Sequence, residues 1–289
     1  MNKKISRRSF LKNSFKFTIG TVLAGFAGHT YVKYIEPRWI DTTQHQITHR
    51  LIPPSFQNFT IVQFSDTHLG FHFNLKHLNE VINKINQLSP DLIIFSGDLV
   101  DNWLSFTEID ETVHILKQLK SKYGKIAVFG NHDHGGYGTE KYKDIMEESG
   151  FLLLRNEIQT IQINKEKILI AGIDDAMLGS PDFKTTFEGT DKSTYTILVS
   201  HAPDLADEAF NYNIHFQISG HSHGGQVKIP FFAPLITPPY GEKYYEGFYN
   251  ITEDFTLYVN RGLGTTRLPF RLFTRPEITV FSLISEQEV

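Results

Sequence analysis

Apolar residues gather along this chain in short runs that stop abruptly at polar ones. "FTIVQF" (59–64) ends in "SDTH", "DLIIF" (91–95) in "SGD", and "KIAVF" (125–129) in "GNHD". Further on, "YTILV" (195–199) ends in "SH" and "HFQI" (215–218) in "SGHSH". Each run is rich in β-branched and aromatic residues, as expected of a strand buried on both faces. Between and just after the first three, apolar positions recur at helical spacing over 74–88 (Leu75, Leu78, Val81, Ile82, Ile85), 107–120 and 139–149. This alternation predicts a layered α/β fold, in which functional groups collect beyond the carboxyl ends of the strands. All five polar endings are therefore expected on one rim. Beyond residue 40 no linker divides the chain and no repeat recurs, so 36–289 reads as a single domain.

The first 35 residues follow a different pattern. Lys3, Lys4, Arg7, Arg8 and Lys12 precede a weakly apolar run, "FTIGTVLAGFAG", of about a dozen residues, short of the ~20 that span a bilayer. A basic start, a short apolar middle and small residues at Gly25 and Ala27 have the anatomy of a signal peptide. The stretch Ser6-Arg7-Arg8-Ser9-Phe10-Leu11-Lys12 resembles a twin-arginine export signal. Residues 1–35 are thus expected to be a signal segment or N-terminal anchor, read by the twin-arginine export machinery, with the domain placed in the cell envelope. Seven of the 28 Lys and Arg lie in this segment and all 32 acidic residues lie beyond it, leaving the domain near −11. A surface that acidic disfavours nucleic acid as a partner.

The absence of cysteine removes disulfides and thiolate metal sites, so any metal must be held by His, Asp, Glu or Asn. The rim offers Asp66, His68, Asp98, Asn131, His132, Asp133, His201, His221 and His223. Carboxylate and amide oxygens mixed with imidazole suit Mn²⁺, Fe or Zn²⁺. Asp66 with His68, and His221 with His223, stand two residues apart, a spacing that points two side chains the same way in extended backbone.

The blocks "DTH" (66–68), "GDLVD" (97–101), "GNHD" (130–133), "SH" (200–201) and "GHSH" (220–223) together resemble the calcineurin-like metallophosphoesterases. The resemblance implies a four-layer αββα sandwich and two divalent metal ions, with Mn²⁺ the expected choice. It implies one ion held by Asp66, His68, Asp98 and His223, and the other by Asp98, Asn131, His201 and His221. The implied reaction is hydrolysis of a phosphate mono- or diester by a hydroxide shared between the ions. His132 would be the general acid and Asp101 the carboxylate that orients it. Asn102 and Trp103 stand where protein Ser/Thr phosphatases of the superfamily have Arg-Gly, which argues against protein dephosphorylation.

The tail, 231–249 and 260–278, resembles a bacterial branch of exported or membrane-associated phosphoesterases, some assigned cleavage of the UDP-2,3-diacylglucosamine pyrophosphate. A lipid-linked ester is therefore one expected substrate. Arg261, Arg267, Arg271 and Arg275 are available for phosphate contacts. The aromatic stretch 231–249 is expected to pack over the sheet, with a membrane-facing lip as the alternative. His134 is expected at the mouth of the site. Two rival functions remain at this level, a nuclease and a catalytically silent scaffold; the complete ligand set and the acidic domain weigh against them.

Overall fold

The computed structural model describes residues 7–135 and 138–286, so Lys3, Lys4 and Ser6 of the export-signal reading lie outside the described residues. Its strands are β1 (Asp41–His49), β2 (Phe59–Phe64), β3 (Leu92–Phe95), β4 (Lys125–Ala127), β5 (Phe151–Leu153), β6 (Glu157–Ile163), β7 (Glu166–Gly172), β8 (Thr196–Val199), β9 (Phe216–Ser219), β10 (Gly247–Asn250), β11 (Thr256–Val259) and β12 (Glu277–Ser285). The helices are α1 (Arg7–Thr30), α2 (Leu75–Gln87), α3 (Ile109–Leu116), α4 (Asn131–His134), α5 (Gly138–Glu148), α6 (Phe183–Phe187) and α7 (Ala206–Ala209).

Two six-stranded mixed sheets form the centre, ordered β1-β12-β2-β3-β4-β5 and β10-β11-β9-β8-β7-β6. Strands β2 to β5 run parallel in the first, and β7, β8, β9 and β11 run parallel in the second. The apolar runs serve both faces at once. Ile61 and Ile94 point into a core shared with Ile170, Ile197 and Ile218 of the other sheet. Their neighbours Val62 and Ile93 point the opposite way, against Leu78, Val81, Ile82 and Ile85 of α2 and Ile145 of α5. On the far side, Ala171, Leu198 and Val259 meet Phe183 and Phe187 of α6 and Ala206 of α7. Strand periodicity of two thus yields four layers, helix–sheet–sheet–helix.

The helical patterns over 74–88, 107–120 and 139–149 are realised as α2, α3 and α5, the second shorter than expected. The Asn74 side chain accepts from His77 N at 3.1 Å and the Asn74 N–H donates to His77 Nδ1 at 3.3 Å, closing a capping box. Helix α1 runs past the dozen-residue apolar run to 24 residues, and none of them is buried. Among the described residues, no helix is long and apolar enough to cross a membrane.

Candidate metal centre

The five polar endings meet, with one difference from the expected single sheet edge. β2, β3 and β4 deliver Asp66, Asp98 and Asn131 from one sheet, and β8 and β9 deliver His201 and His221 from the other. The centre therefore lies where the carboxyl edges of two sheets face each other.

Two groups of side chains converge there. His68 Nε2 lies 3.0 Å from His223 Nε2, and His223 Nε2 lies 3.5 Å from Asp66 Oδ1. His221 Nδ1 lies 3.1 Å from His201 Nε2. Asp98 stands between the groups, with Oδ2 3.6 Å from His68 Nε2 and 3.3 Å from His201 Nε2. Asp66, His68, Asp98, His201, His221 and His223 are all buried.

The two-residue spacing works differently from expectation. Asp66, His68, Asp98, His221 and His223 all have φ between 46° and 72°, the left-handed region, so the extended-backbone argument does not apply. For residues with a Cβ this conformation costs about 1 kcal/mol each, a strain that cores tolerate mainly at functional sites. Asp66 and His68 still reach one group, but His221 and His223 part: His223 joins Asp66 and His68, while His221 joins Asp98 and His201. Gly97, at φ +100°, permits the tight approach, since a Cβ there would sit 2.7 Å from both His201 Nδ1 and Gly130 N.

The donors fit a pair of divalent cations. Imidazole nitrogens that face each other at 3.0 and 3.1 Å share at most one proton per pair, and a cation relieves that contact. The Asn131 Oδ1 atom is buried without a hydrogen-bond partner. Burial, together with His68 and Arg271, holds the His223 imidazole well below its usual range, and burial with His201 lowers that of His221. Neutral imidazole is the ligating form. The outward nitrogens are steered too: His201 Nδ1–H donates to Ser96 O (2.7 Å) and His221 Nε2–H to Pro239 O (2.8 Å).

His132 borders this centre. Its N–H donates to Asp98 Oδ1 (2.8 Å) and its ring packs edge-on against His68. The expected role of Asp101 needs correction. The main-chain carbonyl of Asp101 accepts from His132 Nδ1 (2.8 Å), while the Asp101 carboxylate lies 3.4 Å from His68 Nδ1. Asp101 thus holds His132 through its backbone and faces a ligand with its side chain. Burial opposes charge on His132, but Asp98 and the Asp101 carbonyl outweigh it and raise its pKa.

Asp133, a rim residue with no role legible from sequence, ties the loops together. Its carboxylate accepts from the N–H groups of Asp98 (2.8 Å), Leu99 (3.0 Å) and Gly130 (2.8 Å). Burial and the Asp98 charge push its carboxyl up to about 7 against the pull of those donors. Trp103 was also missed as a contributor. It is fully buried, and its Nε1–H donates to His132 O at 2.9 Å. Its place in the position of Arg-Gly was the one signal available.

The sequence profile of the calcineurin-like phosphoesterases matches residues 59–225, more than half of the chain. The chain belongs to this family. It is 47% identical over 284 residues to the uncharacterized metallophosphoesterase YkuE of Bacillus subtilis, covering 98% of this chain and 99% of that protein. It is 26% identical to the phosphodiesterase YaeI of Escherichia coli, over 97% of this chain and all of that one. A transmembrane protein with metallophosphoesterase domain from Danio rerio is 29% identical over 79% of this chain, which spans about half of that protein's length.

Around the mouth of the phosphoesterase, three expectations change. His134 does not line the opening: its Nε2–H donates to Asp174 Oδ1 at 2.7 Å and its ring stacks on Phe129. Three of the four arginines are engaged internally. Arg271 is buried, bonded to the carbonyls of Arg261, Gly264 and Thr274 and 3.3 Å from His223 Nδ1. Arg261 pairs with Glu277 and Asp41, and Arg275 with Asp41. Arg267 alone of the four is exposed. The 231–249 stretch packs only in part. Tyr244 is buried, but Phe231, Phe232, Leu235 and Ile236 project into solvent, because Pro234, packed on Gly225, and Pro239, bonded to His221, anchor a segment whose tip faces away from the sheet.

Proposed function

We propose that the chain hydrolyses phosphodiesters, including diphosphate bridges in lipid-linked molecules, outside the cytoplasmic membrane. The observation that carries this reading is the Asp98 carboxylate placed between two donor groups, Asp66–His68–His223 and His201–His221. Asp66, His68, Asp98 and His223 would hold one divalent ion, and Asp98, Asn131, His201 and His221 the other. When bound, such a pair supplies a nucleophilic water at neutral pH and neutralises charge growing on the phosphate. Everything else is done by the chain. The Asp101 carbonyl fixes the His132 Nδ1–H, which leaves Nε2 as the atom that passes a proton to the leaving oxygen. Asp133 clamps the N–H groups of Asp98, Leu99 and Gly130 and so keeps in place the carboxylate that both ions would share.

A diester is favoured over a monoester by the state of the arginines. With Arg261, Arg271 and Arg275 bound within the fold, the tail leaves one exposed guanidinium, that of Arg267, rather than a cluster to clamp a dianionic monoester. The exposed Phe231, Phe232, Leu235 and Ile236 beside the His221 loop suit an apolar group on the ester. Mn²⁺ is the proposed ion. Export by the twin-arginine route is supported by the Arg7-Arg8-Ser9-Phe10-Leu11-Lys12 run on a helix that buries none of its residues against the domain.

The test compares bis(p-nitrophenyl) phosphate with p-nitrophenyl phosphate on Mn²⁺-loaded protein. Faster turnover of the diester supports the reading; faster turnover of the monoester overturns the diester assignment. Protein that binds no metal and cleaves neither would instead establish the silent scaffold.

A further inference from the structure

Outside the ligand set, one network reaches the rim from both sheets. His134 ends the helix that begins with Asn131, Arg155 follows β5 by two residues, and Asp174 follows β7 by two. The Asp174 carboxylate gathers the other two. Its Oδ1 accepts from His134 Nε2–H (2.7 Å) and from Asp175 N (2.9 Å), and its Oδ2 from Arg155 Nε (2.9 Å) and Ser180 N (2.9 Å). Asp174 is buried, whereas the Arg155 side chain is 49% exposed.

That asymmetry separates a splint from a simple ion pair. Three donors other than Arg155 already satisfy Asp174, so the carboxylate does not depend on the arginine. The arginine gains a fixed direction instead. Its Nε is held and its guanidinium lies 5.6 Å over the Phe129 ring, the same ring on which His134 stacks. The two terminal amino groups make no hydrogen bond among the described residues, which leaves, on a half-exposed side chain, the planar fork that takes a phosphate bidentately. Phe129 stands two residues before the expected ligand Asn131 and His134 three residues after it, which places the network beside the metal centre. Next to it, Met177 and Leu178 are exposed, Leu178 close to Gly135.

We propose that Arg155, splinted by Asp174 over Phe129, is a recognition subsite for a second phosphate group carried by the substrate beyond the ester that is cleaved. It rests on the phosphoesterase reading for the place of that ester. A substrate with one ester at the metals and another anion a few bonds away meets both sites. The subsite selects among diesters and takes no part in bond cleavage.

The test is calorimetric binding of thymidine 5′-phosphate and thymidine 3′,5′-bisphosphate to the Mn²⁺-loaded full chain. The bisphosphate is expected to bind about tenfold tighter, the gain of one charge-assisted phosphate contact. Arg155→Met should erase the difference and Arg155→Lys should keep part of it, with metal content unchanged in both. Equal affinities in the parent protein, or a difference that survives Arg155→Met, would overturn the proposal. Bis(p-nitrophenyl) phosphate has no second anion, so its hydrolysis reports on the phosphoesterase reading alone and should be untouched by either variant.

Discussion

Trp103→Phe probes how the fold holds His132 without touching a ligand. The indole is fully buried, and its Nε1–H is the bond donor to His132 O, at 2.9 Å. Phenylalanine keeps the aromatic packing but leaves that carbonyl unpaired, at about 1–3 kcal/mol. Losing the five-membered ring removes roughly 40 Å² of apolar burial, about 1 kcal/mol. The space left behind costs about 1 kcal/mol more. The total is about 3–5 kcal/mol, or some 6–20 °C in Tm at the ~2–4 °C per kcal/mol of larger domains. The catalytic effect follows from geometry. His132 would keep its bonds to Asp98 and Asp101 but lose the support behind its own carbonyl. A displacement near 1 Å lowers kcat by ~10–100-fold. Urea denaturation in EDTA reads the stability, metal analysis reads the ligands, and diesterase kinetics read kcat. Lower stability with unchanged kcat would refute the link to His132 and leave Trp103 as a core residue only. A stability loss below about 1 kcal/mol would refute the energetic argument itself.

Other expectations can be read from single variants. In Gly220→Ala the new Cβ would overlap Asp66 Oδ2 and sit 2.6 Å from Ser65 Oγ, so one of two bound metals should be lost on dialysis; retention of both would contradict the geometry. His132→Ala should reduce diester turnover ~100-fold or more while metal content stays at the parent value, and unchanged turnover would remove His132 as the acid. His215, far from the ligands, has its pKa pushed down to about 4 by burial and then by His49. Its neutral form is native, so the stability it supports is complete above about pH 6.5 and is lost as pH falls toward 4, by about 2–3 kcal/mol. Denaturation at pH 7 and 4.5 should show a smaller drop for His215→Gln than for the parent; equal drops would exclude His215 as a source.

Much of the architecture was legible because strands buried on both faces leave an unbroken apolar run that few other elements mimic. The strands β2, β3, β4, β8 and β9 were marked in this way, and the helices α2, α3 and α5 by apolar positions at helical spacing. The donor chemistry was equally legible, since a chain without cysteine that ends five strands in Asp, Asn or His declares oxygen and imidazole ligands. The edge strands β1, β6 and β10 were not, because partly solvated segments such as "DTTQHQITH" carry a weaker pattern.

What local spacing could not decide was where each side chain ends. His221 and His223 stand two residues apart yet serve different groups, because left-handed backbone at both positions turns them apart. Asp101 sends its carbonyl to His132 and its carboxylate to His68, a division set by how two loops from neighbouring strands meet. Arg271 looked free in sequence and is buried among carbonyls, while Phe231 and Phe232 looked like core and stand in solvent. Residue types and strand ends are local properties, written in the chain. Partners lie far apart in the chain, His68 and His223 by 155 positions, and only the meeting of two sheet edges brings that pair within 3.0 Å.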